Sequence, residues 1–184
     1  MREDTDMRIG IIGTAGRKPY TDMMTLDLYR KMYSHLRLLL LGRGEYNFRI
    51  LVSGGAAWSD HLAVKAFNRL TPQLELHLPC SFDYQNTRFS DTNPTGRTAN
   101  YYHELFSKEC GFDSLAEIKE AINHPNCMHT VSNGFHARNL LVGKVDLLIA
   151  FTWGEGSIPA GGGTHHTWDN SKAQEKIHIP LESL

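Results

Sequence analysis

The chain has 184 residues, 41% of them hydrophobic, and a formal charge of −1 from 19 Lys and Arg against 20 Asp and Glu. That length matches one domain with a sizeable core, and the charged fraction of 21% is too low for a disordered polyelectrolyte. The near-zero charge argues against a general nucleic-acid or anionic-membrane binder, and three scattered cysteines support neither a disulfide framework nor a CxxC metal knuckle.

Arg8-Ile-Gly-Ile-Ile-Gly13 is a short apolar run that ends in glycine, and it reads as a buried first strand. Thr14-Ala-Gly-Arg-Lys-Pro19 breaks the pattern and reads as a loop. Over 22–41, Leu26, Tyr29, Tyr33, Leu36 and Leu40 recur at helical spacing, until Gly42 and Gly44 stop the helix. Residues 48–53 form a second strand, and Ser59 is the expected N-cap of a helix with Leu62, Ala63, Ala66, Phe67 and Leu70 on one face. Residues 74–79 alternate as a third strand.

Residues 81–100 are polar and irregular, with Asn93-Pro94 and Gly96 as turn signals, so a binding loop or lid is expected there. Helices follow near 99–110 and 114–123, the second with capping-box spacing in Ser114-Leu-Ala-Glu117. Residues 135–144 look helical, and 145–151 form a strongly apolar strand. A glycine-rich loop over 154–163, a helix capped by Thr164 and running to about 174, and a short strand at 177–180 complete the chain. Strands alternating with helices predict a Rossmann-like α/β three-layer sandwich with a mainly parallel central sheet. We expect a single domain over 1–184, with an inserted loop and helical segment at about 81–131.

Three strand ends run into small-residue turns before helices: Gly13-Thr-Ala-Gly16, Ser53-Gly-Gly-Ala56 and Ala160-Gly-Gly-Gly-Thr164. In an open parallel sheet, ligands bind at the carboxyl ends of the strands, where helix N-termini present free N–H groups that suit phosphate. Each loop alone also fits a plain turn. An NAD site is disfavoured: Gly10-Ile-Ile-Gly13-Thr-Ala-Gly16 is GxxGxxG, and Ser53-Gly54-Gly55 stands where a ribose-binding acid belongs. No glycine loop continues into Lys-Ser or Lys-Thr, so the Walker pattern is absent.

Taken together, Gly13-Thr-Ala-Gly-Arg17, Val52-Ser-Gly-Gly-Ala-Ala-Trp-Ser-Asp60, Phe135-His-Ala-Arg-Asn139, Val145-Asp146 and Gly162-Gly-Thr-His-His-Thr167 resemble the motif series of the SLOG superfamily. That superfamily includes the LOG phosphoribohydrolases, the DNA-processing DprA proteins and the YpsA-like proteins. The resemblance covers most of the chain except 81–131. It implies a Rossmann-like fold, a nucleotide or nucleotide-derived ligand, and a homodimer or higher homo-oligomer. In the LOG enzymes a glutamate follows the glycine motif and acts at the N-glycosidic bond, whereas the matching position here is Thr167. Their Arg-Lys pair corresponds to Arg138-Asn139. The departures lean away from hydrolysis and towards the ligand-binding, YpsA-like branch.

Phosphate is expected on the Gly54-Gly55 and Gly161-Gly162-Gly163 loops, with Thr14, Ser53 and Thr164 as neighbouring hydroxyl donors. Arg17 and Arg138 would neutralise it, or else serve in ordinary ion pairs. Asn139 is the amide beside Arg138. Asp60 reads equally as a helix-dipole acid or as a ribose-hydroxyl contact. Trp58 and Trp153 read as packed rings or as platforms for a base, and Trp153 is counted with the site. If the protein is an enzyme, Glu155 or Asp60 would be its acid at a ribosyl centre. His165 and His166 do not share a helix face, so one of them, with His165 counted in the site, reads as a ligand contact rather than both as metal ligands. Cys80 fits a buried thiol better than a nucleophile.

The expected function is capture of a nucleotide or nucleotide-derived ligand, ADP-ribose-like or cyclic, as a sensor or sequestering module. A phosphoribohydrolase acting on nucleoside monophosphates is the alternative, and single-stranded DNA binding is the third reading. No metal or cofactor is called for. The polar start Met1-Arg-Glu-Asp-Thr-Asp6 and the short apolar run at 38–41 suggest a cytoplasmic protein without a membrane span.

Overall fold

The computed structural model describes residues 6–43, 49–70 and 73–184. Strand β1 (Met7–Gly13) leads through a loop and a short 3-10 turn into α1 (Leu26–Leu41). Next come β2 (Arg49–Ser53), α2 (His61–Leu70) and β3 (Gln73–Leu78). A small hairpin, β4 (Phe82–Asp83) with β5 (Arg88–Phe89), precedes helices α3 (Pro94–Cys110) and α4 (Ser114–Asn123). The chain ends with β6 (Cys127–Val131), α5 (Phe135–Val142), β7 (Leu147–Thr152), α6 (Gly162–Asn170) and β8 (Glu175–Pro180).

Six strands form one sheet in the order β6-β3-β2-β1-β7-β8, and every pairing in it is parallel. Alternation along the strands divides the core. Ile9, Ile11, Leu147, Ile149 and Phe151 face the larger cluster, which holds α1 to α4. Ile12, Val52, Leu148 and Ala150 face the smaller one, which Val142 of α5 and Trp168 of α6 cover. The sheet grows outwards from β1 to β6 and then returns to β7 beside β1. The right-handed crossover rule places the helices of the return leg on the opposite face. The result is a Rossmann-like three-layer α/β sandwich whose topological switch point lies between β1 and β7.

Several local expectations are corrected. The stretch 81–100 is not structureless: it holds the β4–β5 hairpin and the start of α3. Asn93-Pro94-x-Gly96 is a helix start rather than a turn, because the Asn93 side chain accepts from the Gly96 N–H and proline suits the first helical position. Asp113, not Ser114, caps α4, accepting from the N–H groups of Leu115 and Ala116. The Ser59 hydroxyl donates to the Phe151 carbonyl at 3.1 Å, tying the turn before α2 to β7. The helix expected from 22 starts at Leu26 behind a Thr25 cap. Its buried face uses Leu28 and Met32 with Tyr29, Leu36 and Leu40, while Leu26 and Tyr33 are partly buried. Helix α6 starts at Gly162 without a side-chain cap and stops at Asn170, so Thr164 lies inside its first turn.

Strand β6 was not expected. It lies at the sheet edge with Met128 to Val131 exposed, so its residues lack the in-out alternation that marks a half-buried strand. Pairing with β3 alone makes it a strand. Phe48, read as the first residue of the second strand, falls outside the described residues. Among the described residues, no helix is long and apolar enough to cross a membrane.

Candidate functional site

The C-terminal ends of β1, β2 and β7 and the N-termini of α5 and α6 enclose a cavity of about 540 Å³. Helix α3 supplies one wall through Thr98, Ala99 and Tyr102. This is the place at which an open α/β sheet leaves a crevice, and the volume suits a small organic ligand.

At its floor lies a buried ion pair that joins distant parts of the chain. Arg138 on α5 is 7% exposed and Asp60, at the turn into α2, is 5% exposed. Arg138 Nη1 donates to Asp60 Oδ2 at 2.9 Å. The same carboxylate accepts the backbone N–H groups of Gly54 and Ala56. Burial pushes the Asp60 carboxyl above its ordinary range, while Arg138 and the two peptide donors act in the opposite direction. Burial likewise lowers the Arg138 guanidinium against the pull of Asp60, and the charge of Arg17 adds to the lowering.

Gly54 is required here by close approach. A Cβ at that position would lie 1.5 Å from Arg138 Nη1. The Gly55 N–H donates to Ser53 Oγ at 3.1 Å, and Ser53 Oγ donates to the Asp60 carbonyl at 2.8 Å. The N–H groups of Gly54, Gly55 and Ala56 are therefore all bonded within the protein. The Gly54-Gly55 loop braces Arg138 and does not offer the phosphate donors expected of it. Ser53 sits behind the loop and outside the cavity lining.

Free donors lie instead at α6. Its N-cap, Gly161, has φ 68° and provides no side-chain cap, so the first-turn N–H groups at Gly162, Gly163 and Thr164 have no helical partners. All four residues line the cavity. Thr164 Oγ1 donates to the Gly13 carbonyl at 2.9 Å, which fixes the helix start against the end of β1. Asn139 Nδ2 donates to the Gly163 carbonyl at 3.3 Å. Thr167 is buried and also lines the cavity, with its hydroxyl donating to the same Gly163 carbonyl at 3.0 Å.

Arg17 enters from the β1–α1 loop, with its guanidinium 5.3 Å from the Tyr102 ring centre and 6.0 Å from that of Phe135. Lys18 follows it in the lining, and the Thr14 hydroxyl accepts from the Gly16 N–H at 3.1 Å. Asp60 is the one carboxylate among the described lining residues, against Arg17, Lys18 and Arg138. The cavity thus carries a surplus of positive charge inside a chain that is nearly neutral.

Other expected residues fall elsewhere. Glu155 is exposed in the turn after β7 and outside the lining. His165 also lies outside the lining and pairs with Asp169 one helical turn on, at 3.1 Å. Trp58 is buried in the larger core beside Tyr29 and Phe106. Trp153 does line the cavity, stacked on Tyr20. Cys80 is buried, which raises its thiol.

Two lining histidines escaped the sequence reading. His136, at the start of α5, meets His166 edge-to-face at 4.6 Å. His103 on α3 is fully buried and reaches the Gly55 carbonyl with Nε2 at 3.0 Å, while Ser114 Oγ donates to its Nδ1 at 2.9 Å. Burial is the main cause that pushes its pKa down to about 3, so it is neutral and donates from Nε2. The signal was present: Ala99, His103, Phe106 and Cys110 form one helical face. Among the described residues, no three His, Cys, Asp or Glu side chains converge to hold a metal ion.

Fold and site define a Rossmann-like α/β protein with a cationic cavity at the switch point of its sheet. The chain is 36% identical over 180 residues to the uncharacterized protein R261 of Acanthamoeba polyphaga mimivirus, covering 95% of this chain and 96% of the viral one. It belongs to the same family as that mimivirus protein. No protein-family model matches the chain.

Proposed function

We propose that this protein binds a nucleotide or nucleotide-derived ligand, with the ligand phosphate at the N-terminus of α6. The observation that carries the reading is the uncapped glycine start of α6, which faces a cavity whose described lining holds three cations and one carboxylate. Unpaired N–H groups and the positive end of the helix dipole favour an anion there. Arg17 supplies the exposed counter-charge, while Arg138, held by Asp60, acts as a buried one. The resemblance of the glycine motifs to the SLOG superfamily points to the same ligand class.

The site suits binding better than hydrolysis. Glu155 is exposed and outside the cavity lining, Asp60 is already bonded to Arg138 and two peptide groups, and Thr167 has no acid–base capacity near neutral pH. We read the protein as a sensor or sequestering module. Thermal denaturation with AMP, ADP, ADP-ribose and 3′,5′-cyclic AMP tests the reading. At a concentration 100 times Kd a ligand adds about 2.7 kcal/mol, which for a chain of this size raises Tm by roughly 5–10 °C. An unchanged Tm with all four compounds at millimolar concentration refutes it.

A further inference from the structure

Trp153, the first residue after β7, is 9% exposed and lines the cavity. Tyr20 lies over it, with ring centres 5.1 Å apart and planes inclined by 16°. Tyr20 itself is 37% exposed and belongs to the β1–α1 loop. That loop is closed largely on itself. The Tyr20 N–H donates to the Arg17 carbonyl, the Thr21 hydroxyl to the Gly16 carbonyl, and the Met23 N–H to the Tyr20 carbonyl. Among the described residues, nothing hydrogen-bonds the Tyr20 hydroxyl. The Trp153 Nε1–H is buried and lacks an acceptor among the described residues. The stack therefore covers a large aromatic face with a ring that no side-chain hydrogen bond holds, and the buried indole donor beside it is unsatisfied.

We propose that Trp153 is the platform for the flat ring of the ligand, and that Tyr20 is a placeholder that the ring displaces. The inference rests on the cavity being the ligand site and adds which wall takes the base. The ligand class is a flat heteroaromatic ring, such as a nucleobase. Bases stack on aromatic side chains with little dependence on their identity, so Trp153 supplies affinity for a ring rather than choice among bases. Tyr20 sets the threshold: a ligand must stack better than the phenol does. A sugar phosphate without a ring gains nothing from Trp153 and leaves Tyr20 in place.

The test separates ring from phosphate. Adenosine and ribose 5-phosphate are titrated calorimetrically into the wild-type protein, Tyr20→Ala, Tyr20→Phe and Trp153→Leu. Removing the placeholder abolishes one aromatic stack that adenosine has to break, so Tyr20→Ala binds adenosine about two- to tenfold more tightly. Tyr20→Phe keeps the stack and matches the wild type. Trp153→Leu removes the platform and weakens adenosine, while ribose 5-phosphate is unchanged in all variants. A single cooperative melting transition for Tyr20→Ala, lowered by no more than about 5 °C for the lost stack, confirms that the variant is folded. Equal or weaker adenosine binding by Tyr20→Ala overturns the placeholder, whatever ribose 5-phosphate does. Conversely, if ribose 5-phosphate fails to bind while Tyr20→Ala still gains adenosine, the phosphate reading falls and the placeholder stands.

Discussion

Replacing Arg138 with methionine probes the element on which the cavity floor depends. Methionine keeps most of the side-chain length but removes the cation 2.9 Å from the Asp60 carboxylate. Asp60, 5% exposed, then keeps only the peptide donors of Gly54 and Ala56. Removing one partner of a buried pair costs about 3–5 kcal/mol, because an uncompensated charge remains. With an m-value of about 2 kcal/mol per molar urea, the midpoint falls by about 1.5–2.5 M. The loss also depends on pH. Burial already raises the Asp60 carboxyl, and without Arg138 it rises further. A carboxyl raised in the folded state binds more protons there than in the unfolded chain. Stability is then highest below the unfolded value near pH 4 and declines as pH rises towards the folded value. Urea denaturation at pH 5 and pH 8 should show the larger deficit at pH 8. A deficit below about 1 kcal/mol, or one equal at both pH values, refutes the reasoning.

Two further outcomes follow from the same geometry. His103 is held near pKa 3 by burial, against about 6.5 in the unfolded chain. The unfolded chain therefore binds the extra proton, and stability falls with pH below about 6.5, by up to about 1.4 kcal/mol per pH unit. Acid-unfolding curves of His103→Gln, compared with the wild type, should lack this component, and parallel curves would exclude it. Arg17→Ala removes the exposed cation while leaving the floor intact. AMP should bind about tenfold more weakly in calorimetry, with the Tm of the unliganded protein unchanged. Unchanged affinity would remove Arg17 from the site.

Elements with local signatures were legible in the chain itself. The apolar run ending at Gly13 is a strand because β-branched and apolar residues bury both faces of a central parallel strand. Helix α4 begins where its capping residues cluster, although Asp113 rather than Ser114 takes the role, since the Ser114 hydroxyl is engaged by His103 and Ser107. Strand β6 was not legible, because an exposed edge strand needs no pattern beyond a willing neighbour. The segment before α3 misled for a related reason: Asn, Pro and Gly serve turns and helix starts equally, and here Asn93 caps a helix whose Gly96 lies close against the Ser90 carbonyl.

The sequence by itself determined the layer architecture and the end of the sheet at which the cavity opens. Both follow from residues close in the chain: alternating apolar runs, glycines after strands and helical faces. Only the tertiary structure decided what each glycine loop does. Asp60 and Arg138 are 78 residues apart, and their meeting turns the Gly54-Gly55 loop from an anion cradle into a brace. Gly161, at the N-cap of α6, has no side chain to cap the first turn, while Thr164 within that turn is drawn to the Gly13 carbonyl, 151 residues away. A loop's donors are free or occupied according to which distant side chain reaches them, and such reach is a property of packing, not of local pattern.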